Sequence, residues 1–172
     1  MSNLDQVLNF GPLSRLRRNH ALEHATLNLL MRQNPKLRLA GYTDLRGFWI
    51  VGDISTEGLQ KAADEGLVRL NRGEAALAIH QNCGTNFAAT GFLAGTAGWI
   101  GMLGVGEGFK KKINRLPIVV TLVTLTLIIS QPIGPLIQTR VTTTPVMGDL
   151  KIMEITRFYR RGLPMHRIIT KG

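Results

Sequence analysis

Two long stretches of this chain carry no charge, and they decide what it can fold into. Ala75–Gly106 and Leu116–Thr139 contain no Asp, Glu, Lys or Arg. The first ends in a glycine-rich run from Asn86 to Gly106; the second opens at Leu116 with Pro-Ile-Val-Val-Thr-Leu-Val. A helix rises about 1.5 Å per residue, so about 20 residues cross the hydrocarbon core of a bilayer. Both stretches are long enough. A soluble domain of 172 residues has little room to bury two helices that are apolar all round. The expectation is a two-segment transmembrane hairpin over residues 86–139, with a basic loop at 107–115, rather than a buried helix pair. A re-entrant course for the glycine-rich segment is the alternative.

Charge follows the same boundaries. The chain carries +10 overall; residues 1–85 contribute +2, the loop 107–115 contributes +3 and the tail 139–172 contributes +5. Basic residues beside membrane segments mark the cytoplasmic side and attract anionic headgroups. The run Lys110-Lys-Lys-Ile-Asn-Arg115 on its own places the loop in the cytoplasm. An N-terminal region without a signal peptide places the termini there instead, and this second orientation is favoured. The expected partners are the lipid bilayer with its anionic headgroups and, through the glycine-rich segment, another protomer or membrane protein. Nucleic acid is not expected, because no helix-turn-helix spacing and no basic patch interleaved with aromatics is present. The single cysteine excludes an internal disulfide framework and a Cys₄ zinc module.

Outside the apolar stretches the pattern reads as α+β, a small mixed helix and strand domain interrupted by the hairpin. The divisions are 1–85, 86–139 and 140–172. A short helix is expected over Asn3–Phe10, and a longer one from Pro12 to Gln33, stopped by Asn34-Pro35. Strands are expected at 37–42 and 47–52, with Thr43–Arg46 as the turn. Ser55 or Thr56 caps a helix that ends at Asn71-Arg72-Gly73. Ala76–Ile79 reads as a short strand. In the tail, Leu150–Phe158 and Met165–Thr170 read as a hairpin around Arg161–Pro164, able to pair with the N-terminal sheet.

Chemistry concentrates in one helix and one loop. His20-Ala-Leu-Glu23-His24 places two imidazoles at i and i+4, one turn apart on a single face, so both can reach one metal ion. Glu23 lies beside them, where it could act as general base toward a metal-bound water. The pattern is H-x-x-E-H, that of inverted zinc peptidases. Those enzymes need a further glutamate ligand downstream, and none of Glu57, Glu65, Glu74, Glu107 or Glu154 has a matching helical context. His80 and Cys83, in His80-Gln-Asn-Cys83-Gly-Thr-Asn86, can supply the remaining ligands. All four ligands together make a closed structural zinc site; His20, His24 and one of His80 or Cys83 leave a position for water. Against this stand plainer roles: satisfied imidazoles, a surface acid, and a thiol as an apolar plug. His166 is the fourth histidine and approaches the others only if the tail joins the sheet.

Gly91-x-x-x-Gly95, followed by Gly98, Gly101 and Gly104, gives a helix face without side chains, suited to close helix packing in lipid. Its expected partner is the Thr-rich second segment, or another protomer. Arg15, Arg17 and Arg18 open the His-bearing helix, against its dipole, which points to an anionic partner outside the chain.

The stretches Arg17–Leu27, Ala78–Asn86 and Thr142–Leu150 together resemble a family of uncharacterised bacterial membrane proteins, classed only as a domain of unknown function. The resemblance implies a prokaryotic membrane protein with a small α+β portion, and no activity; the two apolar segments make the expected location the bacterial cell membrane, multi-pass. Two functions follow from the residues themselves. One is a membrane-anchored zinc-dependent hydrolase with Glu23 as base and His20, His24, His80 and Cys83 as candidate ligands. The other is a non-catalytic membrane scaffold or assembly factor whose metal, if any, is structural.

Overall fold

The structure is a computed structural model and describes residues 3–172. The chain forms two compact units, residues 1–80 with 138–172, and residues 81–137. The first is mixed helix and strand. It opens with α1 (Asn3–Leu8) and α2 (Gly11–Gln33), then β1 (Ala40–Asp44), β2 (Gly47–Val51) and α3 (Thr56–Asn71). A 3₁₀ turn at Ala75–Ala78 leads to the second unit, and the chain returns through a π-helical turn at Gln138–Thr142 to β3 (Lys151–Arg160) and β4 (Leu163–Lys171).

The four strands form one antiparallel sheet in the order β1-β2-β4-β3. β4, from the far end of the sequence, therefore lies against β2 from its beginning. Alternation sends Phe48 and Ile50 of β2 and Ile168 of β4 to the face covered by α2 and α3. There they join Leu22 and Leu30 of α2 and Leu59 and Leu70 of α3 in the core. Gly66 lets the two helices approach, since a Cβ there would lie 3.2 Å from that of Ala25.

Local chemistry sets the ends of these elements. Pro12 suits the first turn of α2, and Asn34-Pro35 stops it. The Ser55 hydroxyl caps α3 by accepting from the Gly58 N–H at 3.1 Å. β1 runs later than the sequence pattern suggests, because the turn is tighter: the Asp44 carboxylate accepts from the Arg46 N–H at 2.8 Å and closes it. The tail hairpin is likewise tighter, turning on Arg161 and Gly162 alone, both at positive φ (51° and 81°). That two-residue turn matches the twist of paired strands and carries β3 to Arg160 and β4 back from Leu163. The expected strand at Ala76–Ile79 is instead the 3₁₀ turn. Its carbonyls go to side chains of α2 and leave no ladder for a strand partner: Asn28 donates to Leu77 O and Ile79 O, and His24 to Ala78 O.

The second unit holds α4 (Gly84–Met102), α5 (Phe109–Ile129) and α6 (Ile133–Ile137). Among the described residues, one helix, Phe109–Ile129, is long and apolar enough to cross a membrane, and none of its apolar window is buried. α5 packs on α4 through the later glycines. A Cβ on Gly101 would lie 3.0 Å from Val119 and 3.2 Å from Leu122, whereas Gly91 and Gly95 have nothing within 4 Å. The close-packed glycine face is thus at Gly98 and Gly101. Of the threonines, Thr121 and Thr126 turn their hydroxyls back to Pro117 O and Leu122 O of their own helix, each at 2.8 Å. Gly101→Leu is expected to force α4 and α5 apart and lower the melting temperature of the purified protein, while Gly95→Leu leaves it within error. Equal effects of the two would refute this packing.

Candidate metal centre

α2 presents His20 and His24 one turn apart, as their spacing requires, with ring centroids 4.3 Å apart. His80, just past the 3₁₀ turn, brings a third imidazole, its centroid 5.6 Å from that of His24. The first two rings are held alike. Nδ1 of His24 lies 2.7 Å from Ala78 O, and Nδ1 of His20 lies 3.0 Å from Thr142 O. A carbonyl only accepts, so each Nδ1 carries the proton and donates it. In the neutral ring this makes each Nε2 the lone-pair nitrogen, the tautomer of a metal-ligating histidine whose other nitrogen is held by a backbone carbonyl. The candidate ligand atoms of His20 and His24 lie within 4.8 Å of each other. Two nitrogens on one tetrahedral zinc, each about 2.0–2.1 Å from it, are separated by about 3.3 Å, a spacing that lies inside this limit.

The His80 backbone is fixed by one side chain. Gln138, fully buried in the π-helical turn, accepts from the His80 N–H at 2.9 Å and donates to the His80 carbonyl at 3.1 Å. Burial, and then the neighbouring charges of His24 and His20, push the His80 pKa down to about 4. The ring is accordingly neutral and able to ligate near pH 7.

Glu23 is buried, and its carboxylate accepts from the Thr43 hydroxyl of β1. Gly41 makes room for it, since any Cβ there would overlap the carboxyl group. Burial raises the Glu23 pKa, with the Thr43 hydrogen bond and the nearby His20 acting in the opposite direction. Glu23 is thus a desolvated acid beside His20, engaged by the sheet. Among the described residues, no glutamate joins a group able to hold a metal. Glu65 and Glu74 are paired with Arg69, and Glu154 accepts from Thr156.

The other sequence candidates have hydrogen-bond partners of their own. Cys83 belongs to the second unit, where it caps α4, its Sγ accepting from the Thr85 N–H at 3.4 Å. His166 is buried in β4, its Nε2 3.1 Å from the Thr56 hydroxyl at the start of α3. The arginines that open α2 are engaged within the fold: Arg15 donates to Thr170 O, Arg17 to Thr143 O, and Arg18 to Met147 O and Asp149. They fasten the tail to α2, which accounts for their place at an unfavourable helix end. Thr43, Asn28 and Gln138, which hold the site together, carry no local sequence signal, because each acts on a residue 20 or more positions away.

Residues 15–155 match the family described as Domain of unknown function (DUF6391). The chain belongs to this family. The DUF6391 span includes His20, Glu23, His24, His80 and Cys83 as well as α4 and α5, and it ends within β3. An uncharacterized protein of Picosynechococcus sp. (strain ATCC 27264 / PCC 7002 / PR-6) is 33% identical over 113 residues, 58% of this chain and 55% of that protein. The chain therefore spans about half the length of that relative. No solved structure matches.

Proposed function

We propose that this chain is a membrane-anchored zinc protein of the bacterial cell membrane. In this reading His20, His24 and His80 hold the metal, and Cys83, three residues beyond His80, is the candidate fourth ligand. The observation that carries the reading is the matched pair of Nδ1–H···O=C bonds at His20 and His24, which sets both rings in the tautomer that ligates through Nε2. Nitrogen and sulfur ligands in tetrahedral number suit zinc.

The anchor is α5, with α4 as the second arm of a two-segment membrane hairpin. Supporting this are the exposed Ile118, Val120, Leu125, Leu127, Ile128 and Ile129 on α5, and Phe87, Phe92 and Trp99 on α4. A patch of that size is disfavoured in water. Lys110, Lys111 and Lys112 open α5, where cations oppose the helix dipole but favour anionic headgroups. A partner membrane protein or second protomer would meet the open Gly91–Gly95 side of α4.

A zinc-dependent hydrolase is the reaction class that fits if the fourth position holds water, with Glu23 as general base; its raised pKa and nearness to His20 favour that role. With Cys83 ligated, the site is closed and structural, as in a scaffold or assembly factor. The Glu23→Gln variant separates the two. A hydrolase keeps its zinc and loses about 10²–10⁴-fold in turnover of a peptide or ester substrate. Full zinc content with no hydrolysis by either protein leaves the structural reading. A wild-type protein without stoichiometric zinc refutes both.

A further inference from the structure

At one end of the sheet, a cleft of about 550 Å³ is lined by Arg15, Asp149, Lys151, Met153, Lys171 and Gly172. Lys151 and Lys171 are directly opposite each other across β3 and β4. Like charges in that relation repel and weaken a strand pair. Arg15 adds a third cation from α2. It is half-buried, donates to Thr170 O at 2.6 Å, and leaves its Nε–H without a partner. Asp149, the acid among the lining residues, is already held by Arg18 at 3.0 Å. The register of β3 against β4 breaks between Ile152 and Glu154, which places Met153 on a bulge at the rim.

We propose that this cleft binds a phosphate group, with Lys151, Lys171 and Arg15 as its cationic walls and Met153 against the carbon of an ester. An anion there converts the Lys151–Lys171 repulsion into two attractions, and charge-assisted hydrogen bonds to phosphate are the strong class. The volume accommodates a phosphoryl group with a substituent, so a free phosphate ester and a phospholipid headgroup share the required chemistry. None of these residues belongs to the histidine cluster, so the proposal stands or falls apart from the zinc reading.

The test uses the full chain in detergent, titrated with inorganic phosphate at an ionic strength held constant with chloride. The wild type is expected to bind phosphate and melt higher with it. The Lys151→Gln/Lys171→Gln double variant is expected to lose at least about tenfold in affinity. Without phosphate the double variant melts no lower than the wild type, because its repulsion is gone; this also verifies folding, and Lys171→Gln alone gives an intermediate affinity. Nanodiscs distinguish the sources. If a headgroup is the ligand, phosphatidylglycerol discs stabilise the wild type over phosphatidylcholine discs and abolish its phosphate response. If a soluble ester is the ligand, both discs leave that response intact. Equal phosphate responses of wild type and double variant, or a phosphate effect no larger than that of chloride, overturn the proposal.

Discussion

His24→Ala is expected to reduce bound zinc from about one ion per chain to a trace, read by elemental analysis of protein purified without chelators. Its Nε2 is one of three candidate imidazole ligands, and its ring is in contact with both of the others. Removing it leaves His20 and His80 without the ligand that bridges them. The same substitution also strips Ala78 O of its donor and opens a hole in a fully packed helix face. A loss of fold could therefore imitate a loss of metal. His24→Asn answers that objection, because its amide can still donate toward Ala78 O while offering no Nε2. Zinc lost from both variants, with the wild-type near-ultraviolet spectrum kept by His24→Asn, assigns the loss to ligation. Gln138→Ala supplies a graded comparison. It touches the metal nowhere but frees the His80 backbone, so affinity is expected to fall about 10–100-fold, the range of a supporting contact. If His24→Asn retained full zinc, the metal centre would be refuted.

What could be read from the sequence divides along a physical line. α2 and its His20–Glu23–His24 face are visible because helical periodicity is a local property, and i, i+4 geometry follows from it. The mixed helix and strand class is visible for the same reason. The clamps on the site are not. Gln138 reaches His80 across 58 positions, and Asn28 reaches Ile79 across 51, and no spacing rule covers such distances. The 3₁₀ turn at Ala75–Ala78 is a short apolar run, which periodicity alone does not distinguish from a buried strand, and the α2 side chains that capture its carbonyls decide otherwise. The α2 arginines mislead for a related reason. Their cost at the helix start is real, but the compensating partners are carbonyls of the returning tail, more than 120 residues away.

That dependence of the first unit on its own distant tail makes Gly47 a sensitive position. Gly47 begins β2 at φ 143°, a region that L side chains rarely enter, and a Cβ there would collide with the Ile168 carbonyl. Ile168 is a buried core residue on β4, so the obstacle is backbone in the middle of the sheet and cannot swing aside. Gly47→Ala is therefore expected to cost more than about 3 kcal/mol, combining backbone strain with overpacking. Against a total stability of about 5–15 kcal/mol, that is enough to unfold much of the unit at 37 °C. Strain alone is measured by Gly162→Ala, which shares a positive φ of 81° but meets nothing within 4 Å. That control is expected to cost about 1–2 kcal/mol. Chemical denaturation of the three proteins gives the comparison. A larger loss at Gly47 than at Gly162 locates the difference in the β2–β4 junction, the one strand pairing that ties the first 80 residues to the last 35. Equal losses would mean that the junction tolerates a methyl group, and that the two segments are held together chiefly by α2 and its arginines.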